Sequence, residues 1–238
     1  MHLFIIDLFI SLDNVAPIIY GLNNKKISTK IYSVNPLQNF SENKLLKFLR
    51  FNKFNSYDGF LCLGLKNKIY YFLLKIVLSM PKFILKRLFR LWTFIYRNNV
   101  FFSDHLLTKM IKKNNFKTIT IEGGLSANKK RIIGNACKLA KIPLINIPSG
   151  LTTSKVESIT KVKQEKIIKE FEKIDLYLAP NLFARYTEYV LKPSKFKLLG
   201  SARYDFNWLN VLEKIYSNNK INYKKENKKI NIAFFVRT

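Results

Sequence analysis

The chain has 238 residues, of which 48% are hydrophobic and 14% aromatic, so it can bury a large core and is not a disordered chain. Its 42 lysines and arginines against 15 acidic residues give a formal net charge of +27, which favours polyanionic partners such as nucleic acid, anionic lipid or phosphorylated substrates. The abundance of residues with A/T-rich codons (Lys, Asn, Ile, Phe and Tyr) is an alternative source of that charge. Cys62 and Cys137 are far apart without metal-ligand spacing, which indicates a reducing compartment.

The first part of the chain predicts a βαβ unit. Residues 3–10 form an apolar run typical of a buried strand, rather than a signal peptide with a basic start and a cleavage site. A helix beginning at Ser11 or Asp13 follows, and a second strand is expected over 27–34, ended by Asn35-Pro36. The pattern then predicts a basic helix over 41–53 and a short strand over 58–65.

A long basic helical region follows over 66–99, with a kink expected at Pro81. Its cations fall on one narrow helical stripe, and apolar residues lie beside or opposite that stripe. This composition favours a helix that lies on an anionic membrane surface. The alternatives are a helical hairpin whose apolar side packs on the domain, and a surface that binds a polyanion. The expected membrane-contact residues are Lys68, Lys75, Lys82, Lys86, Arg90, Trp92 and Arg97.

The second half of the chain alternates strands and helices with short connections. A helix opens at Ser103 or Asp104, residues 116–122 form a strand, and a helix starts near Ala127. Strands are then expected within 143–148, 175–180 and 196–200, with helices between them and after the last one. The chain is therefore expected to be an α/β protein with a Rossmann-like parallel sheet flanked by helices and a basic amphipathic helical insertion.

Candidate functional residues lie where the predicted strands end, because parallel sheets bind ligands outside the carboxyl ends of their strands. Asp13 and Glu122 are the candidate catalytic carboxylates, with helix capping as the alternative role for each. Gly123 and Gly124 bind substrate in one interpretation and only form a strand-to-helix turn in the other. Arg203 binds a phosphate in one interpretation and forms a local salt bridge with Asp205 in the other. The candidate substrate-binding residues are Asn14, Gly123, Gly124, Ser126, Ser149, Gly150, Ser201 and Arg203.

Familiar cofactor and metal motifs are missing from the sequence. There is no G-x-G-x-x-G fingerprint, no Walker A loop, no nucleophile elbow and no cluster of His, Cys and Asp ligands. His2 and His105 are not placed for a triad or a metal site. We therefore expect no metal site, and no cofactor bound by this domain.

Two stretches carry a resemblance to a known group of proteins. The unit of strand, "EGG", helix and "AKIPLINIPSGL", together with "LLGSARYDFNWLNVLEKI", resembles the N-terminal domain of GT-B-fold glycosyltransferases and the UDP-N-acetylglucosamine 2-epimerase-like proteins of surface polysaccharide biosynthesis. Members of that group typically carry His-Gly where this chain has Ser149-Gly150, and the missing imidazole weakens the carry-over of a role to that position.

The resemblance implies an N-terminal half of a GT-B-like fold. It implies that this half binds the acceptor, that a second domain holds the nucleotide-sugar donor, and that catalysis occurs in the cleft between them. Facing that cleft would be Asp13, Glu122, Gly123, Gly124, Ser149, Gly150, Ser201 and Arg203. Residues 1–217 are the expected acceptor-side domain, 218–229 a linker, and 230–238 the first strand of a second domain without which the chain is expected to be inactive.

These observations favour a glycosyltransferase-like protein of cell-surface polysaccharide or glycoconjugate synthesis. Its expected partners are a nucleotide-sugar and a glycan or lipid-linked acceptor, and its expected location is the cytoplasm, peripheral on the inner face of the cell membrane. The alternatives are an epimerase-like enzyme acting on a UDP-sugar, and a non-catalytic module that binds nucleic acid or anionic membrane. Nucleic acid ranks lower, because the sequence has no RNA-binding or helix-turn-helix signature.

Overall fold

The computed structural model describes residues 1–7, 10–36, 43–50, 55–78, 80, 101–147, 172–179, 195–200 and 202–216. The strands are β1 His2–Ile6, β2 Thr29–Ser33, β3 Asn55–Phe60, β4 Thr118–Glu122, β5 Leu144–Ile147, β6 Leu176–Ala179 and β7 Phe196–Leu198. The helices are α1 Ile10–Asn24, α2 Lys44–Arg50, α3 Leu65–Leu78, α4 Asp104–Lys113, α5 Ala127–Ala140 and α6 Phe206–Tyr216, with a short 3₁₀ helix at Ala202–Tyr204.

The described strands form one parallel sheet with the order β3-β2-β1-β4-β5-β6-β7. Successive strands from β1 to β3 are added on one side of β1, and those from β4 to β7 on the other. The connections on the two sides therefore leave β1 and β4 in opposite directions, which opens a crevice at the carboxyl ends of these two strands. The predicted fold class, a Rossmann-like parallel sheet flanked by helices, is confirmed.

Each face of the sheet is buried under helices, because the strands are apolar on both sides. On one face, Leu3 and Ile5 of β1 pack in a cluster with Leu107 of α4 and Ile133 of α5. On the other face, a second cluster joins α1, α2 and α6 to the sheet, and Trp208 belongs to it. Alternating side chains of β1 thus pack into two hydrophobic clusters, one on each face of the sheet.

Two predicted strand boundaries are wrong. The strand predicted over 3–10 ends at Ile6, and Ile10 already belongs to α1, because the apolar run continues from the sheet into a buried helix. The strand predicted over 58–65 is instead β3 at Asn55–Phe60, and α3 begins at Leu65. The apolar residues after β3 are explained by core packing, since Leu61 is fully buried outside the strand, and Gly64 has a φ of 89° where the chain turns into α3.

Other boundaries agree with the sequence. Ser103 caps α4 by accepting a hydrogen bond from the amide of Leu106, and Ser126 caps α5 by accepting one from Lys129. The proposed linker over 218–229 and the strand over 230–238 lie outside the described residues. The same is true of the helices predicted over 156–173 (except for its last two residues) and 181–191.

Residues 81–99 of the predicted basic helical region, with the expected kink at Pro81, also lie outside the described residues. So do five of the expected membrane-contact residues, Lys82, Lys86, Arg90, Trp92 and Arg97.

Trp208 packs α6 against α1, and its replacement by a smaller residue tests this packing. Its ring is 3% exposed and lies 5.7 Å from the ring of Tyr20. We expect Trp208→Ala to lower the free energy of unfolding by about 3–5 kcal/mol, because it opens a large cavity between α6 and α1. Urea unfolding followed by circular dichroism measures the loss. Leu209→Ala, on the exposed side of the same helix, is the matched control, and equal losses in both variants would contradict the docking of α6.

Candidate functional site

The crevice between β1 and β4 is lined by charged residues that follow the ends of these strands. Asp7 comes directly after β1, and Glu122 is the last residue of β4. The amino end of α1, with Ser11 in its first turn, lies on the same side as Glu122. The topology therefore brings two carboxylates and a helix amino terminus together at the position where such sheets bind ligands.

Glu122 is a buried carboxylate, with only 2% of its surface exposed. Its Oε2 accepts a hydrogen bond of 2.9 Å from the backbone amide of Gly124. Its Oε1 and the hydroxyl of Ser11 each lack a hydrogen bond of good geometry within the described part of the chain, although the Ser11 hydroxyl lies close enough to the carboxylate to lower its pKa. Since buried polar atoms are nearly always paired, Oε1 is an unusual feature that points to a functional role.

Burial raises the pKa of Glu122 above its ordinary value of 4.5, because the charged form is poorly solvated. The Gly124 amide opposes this rise in pKa most strongly, and the nearby Ser11 hydroxyl and the charge of Lys130 oppose it further. The negative charge of Asp7 acts in the same direction as burial. Glu122 is therefore a carboxyl that holds its proton to a higher pH than an exposed glutamate does.

Gly124 provides the space that this carboxylate occupies. A Cβ at Gly124 would lie 2.8 Å from Oε2 of Glu122, closer than van der Waals contact allows. Neither Gly123 nor Gly124 has a positive φ angle, so the two glycines are not needed for an unusual backbone conformation. The amide of Leu125 bonds the carbonyl of Glu122 at 3.3 Å and closes the turn, which lets the carboxylate fold back over Gly124.

Two consecutive lysines in the first turn of α5 face the carboxylates. Lys129 Nζ lies 3.2 Å from Asp7 Oδ1, with both side chains about 15% exposed. Lys130 is buried and acts electrostatically on Glu122. The predicted hydroxyl ligand Ser126 is the N-cap of this helix, where it fixes the position of both lysines. The crevice thus combines two negative and two positive groups in a largely desolvated place.

Asp13 belongs to a different group of residues. Its side chain is exposed on α1, and partial desolvation raises its pKa while the charge of Arg203 lowers it. The guanidinium of Arg203 lies 4.8 Å from the ring centre of Tyr204, next to it in the 3₁₀ helix. Asp205, the alternative partner predicted for Arg203, uses its carboxylate to cap α6 by accepting a hydrogen bond from the amide of Trp208 at 3.1 Å.

A cavity of about 770 Å³ lies between α1 and the segment that leads from β7 into α6. It extends past the ends of β5 and β6, and Asn14 of α1 lies in its wall. Asn14 is one helical turn from Ser11, so the cavity and the buried carboxylate are neighbours along α1. Further residues in the wall that carry aromatic rings or polar side chains are Tyr20, Tyr204, Asp205, Asn207 and Trp208.

The predicted site residues lie partly at the crevice and partly at the cavity. Glu122, Gly123, Gly124 and Ser126 are together at the crevice, whereas Asp13, Asn14 and Arg203 are at or beside the cavity. Ser149, Gly150 and Ser201 lie outside the described residues. The roles assigned to all of these residues stay predictions.

Sequence reasoning missed Ser11, Asp7, Lys129 and Lys130 as parts of the site. For the two lysines the available signal was position, since they follow the helix cap Ser126 just after the predicted strand 116–122. For Asp7 the signal was hidden, because the strand predicted over 3–10 included it. Among the described residues, no group of His, Cys, Asp and Glu side chains could hold a metal ion. No described helix is long and apolar enough to cross a membrane.

No protein-family model and no curated protein matches this chain. Among solved structures, the chain is similar to a protein described as a UDP-N-acetylglucosamine 2-epimerase from Listeria monocytogenes, with 12% identity and a TM-score of 0.46 over 82% of this chain and 44% of that one. It is also similar to another UDP-N-acetylglucosamine 2-epimerase, with 13% identity and a TM-score of 0.45 over 84% of this chain and 48% of that one.

A third similar structure is Anabaena HepE in complex with UDP, with 9% identity and a TM-score of 0.44 over 91% of this chain and 49% of that one. The chain spans less than half of the length of each of these three structures. They include the epimerase class that the sequence resembles. A likeness at this level assigns no role to any residue of this chain.

The close contact between Glu122 and Gly124 can be tested by adding a side chain at Gly124. Gly124→Ala places a Cβ against Oε2, and we expect it to lower the free energy of unfolding by about 1–3 kcal/mol through overpacking. In a Glu122→Ala background the clash is gone, so most of this cost should disappear in a double-mutant cycle measured by urea unfolding. Gly21→Ala is the control, since a Cβ there meets no atom within 4 Å. Additive losses from the two substitutions would contradict the contact.

Proposed function

We propose that this chain is the acceptor-side domain of a glycosyltransferase-like enzyme of cell-surface glycan synthesis. In this proposal a sugar passes from a nucleotide-sugar to a hydroxyl group of a glycan or lipid-linked acceptor. Glu122 is the general base, and the crevice between β1 and β4 is where the hydroxyl meets it. The donor nucleotide is held by a second domain.

The observation that carries this proposal is the unpaired Oε1 of Glu122. The other carboxylate oxygen, Oε2, is held by the Gly124 amide, so the carboxylate cannot rotate freely. We assign Oε1, which is buried in this structure, as the atom that accepts a hydrogen bond from the substrate hydroxyl. Desolvation raises the pKa of this group above its ordinary value, which makes the carboxylate a stronger base than that of an exposed glutamate. Buried carboxyl oxygens that serve stability alone are usually paired.

The proposed step moves one proton and one sugar. The acceptor oxygen forms a bond to the anomeric carbon as the bond from that carbon to the phosphate oxygen breaks, and the nucleoside diphosphate leaves with the electron pair. Glu122 takes the proton of the acceptor hydroxyl and becomes neutral. Its raised pKa means that burial of the neutral form costs less than burial of the charged form, which favours this transfer.

The cavity beside the crevice supports a glycan acceptor. Its volume of about 770 Å³ is in the range of small-molecule sites. Its wall includes the side chains of Asn14, Asn207 and Asp205, which can bond sugar hydroxyls, and the aromatic ring of Tyr204, which can pack on a sugar ring.

The proposal is tested with the full-length protein and a panel of radiolabelled UDP-sugars, using a membrane glycolipid extract as the acceptor. We expect label to pass from a UDP-sugar to the acceptor fraction, and Glu122→Gln to lower kcat by about 10²–10⁴-fold, because the amide cannot take the proton. Glutamine keeps the hydrogen bond from Gly124. The rate with the unaltered protein should rise with pH as Glu122 ionises, and this dependence should vanish in the variant.

Glu213→Gln is the matched control, because Glu213 is exposed on α6. It should leave kcat and its pH dependence unchanged. Conversion of a UDP-sugar to its epimer without any acceptor would replace this proposal with an epimerase-like activity. Wild-type transfer rates in the Glu122→Gln variant, or no transfer from any donor in the panel, would contradict the proposal.

A further inference from the structure

Helix α3, Leu65–Leu78, turns large apolar side chains toward solvent. Leu65 is 77% exposed and Phe72 is 64% exposed, although both are side chains that usually contribute to a core. The complete set of exposed apolar side chains along one side of this helix is Leu65, Ile69, Phe72, Leu73 and Ile76. Scattered single exposures are ordinary, but a continuous row on one helix marks an interaction surface.

The opposite side of α3 is fixed to the domain. Leu74 is buried, and the ring of Tyr71 lies 4.5 Å from that of Phe60 and 6.1 Å from that of Phe101. The side-chain amide of Asn67 donates a 2.8 Å hydrogen bond to the carbonyl of Leu63 at the start of the helix. These contacts set the rotation of α3, so its exposed apolar row follows from the packing of the domain.

The spacing of the exposed row is that of an amphipathic helix. Residues 65, 69, 72, 73 and 76 fall within an arc of about 100° when each residue advances the helix by about 100°. Tyr71 and Leu74 lie on the opposite side. The predicted alternative, in which the apolar side of this helix packs on the domain, is wrong for these residues.

Positive charge borders the exposed row on both sides. Lys68 and Lys75 lie along one edge and Lys66 along the other, and all three side chains are exposed. Lys75 also covers the ring of Tyr71, with its Nζ 4.9 Å from the ring centre. The sequence has no acidic residue between Asp58 and Asp104, so α3 lies in a strongly cationic part of the chain.

We propose that α3 is a docking helix that lies on the surface of an anionic lipid bilayer. Its apolar row enters the boundary between headgroups and acyl chains, and Lys66, Lys68 and Lys75 lie at the level of the lipid phosphates. The charge complementarity selects lipid over a second copy of this chain, because two α3 surfaces brought together would oppose lysines to lysines.

The length of α3 supports an orientation parallel to the membrane. Its 14 residues are fewer than the roughly 20 that a helix needs to cross the hydrocarbon core. Docking by α3 would bring the domain to a surface on which lipid-linked molecules are concentrated. This inference does not depend on the proposed transferase reaction, because it rests on the exposed face of α3 alone.

The test is flotation of the full-length protein with vesicles of phosphatidylcholine alone and of phosphatidylcholine mixed with phosphatidylglycerol. We expect binding to the anionic vesicles and weak binding to the neutral ones. Phe72→Ser with Ile76→Ser should lower the partition coefficient roughly tenfold or more, since it removes two inserted side chains. Both residues are exposed, so the fold should be unaffected, and circular dichroism checks this.

A second pair of variants separates local from total charge. Lys66→Glu with Lys68→Glu should lower anionic-vesicle binding roughly tenfold or more. Lys112→Glu with Lys113→Glu, on the exposed surface of α4, makes the same change in net charge and should leave most of the binding intact. Leu139→Ser, which alters an exposed apolar residue of α5, is the control for the apolar row and should bind as the unaltered protein does.

Three outcomes would overturn the inference. The first is failure of the unaltered protein to bind anionic vesicles. The second is equal loss of binding in the α3 and α4 charge variants, which would indicate attraction by total charge. The third is a dimer that Phe72→Ser and Ile76→Ser dissociate in light scattering, which would show that a second copy covers the apolar row.

Discussion

Burial of the Glu122 carboxyl is the constraint around which the rest of the site is arranged. A charge with 2% exposure is unfavourable unless neighbouring groups compensate for the lost water. The Gly124 amide donates a hydrogen bond to one carboxylate oxygen, and Lys130 supplies an opposite charge. Gly124 also has no side chain, which leaves room for the carboxylate. In the proposed function the remaining oxygen accepts a hydrogen bond from a substrate, so the same burial that costs stability would give the carboxyl its chemical use.

The sheet order explains why this arrangement occurs at β4. In the described sheet the strand order diverges at the junction of β1 and β4, which is where parallel sheets of this kind bind ligands, and the amino terminus of α1 lies beside it. Asp7 at the end of β1 attracts Lys129, and this pairing holds the first turn of α5 against the crevice. The neighbouring cavity then continues along α1 toward Asp205 and Trp208, where α6 returns to the domain.

Much of the fold follows from sequence, because alternation of apolar strands with capped helices is a local property. Ser103 and Ser126 were recognisable caps, and the short links between elements predicted a parallel sheet. The site was predictable in position only. That Glu122 is buried, that Gly124 is needed for space and that α3 exposes its apolar row all depend on packing between distant segments. A helical period shows that two faces differ, but it does not tell which one meets the domain.

The proposed role of Glu122 as a base depends on its proton affinity, which can be measured directly. Carbon-13 NMR of glutamate-labelled protein follows the side-chain carboxyl carbon of Glu122 with pH, and the signal is assigned by its loss in the Glu122→Gln variant. Because burial outweighs the hydrogen bond from Gly124 and the charge of Lys130, the titration midpoint should lie above 4.5. A midpoint at or below 4.5 would show that Glu122 is a well-solvated or fully paired carboxylate, and it would contradict its role as the base.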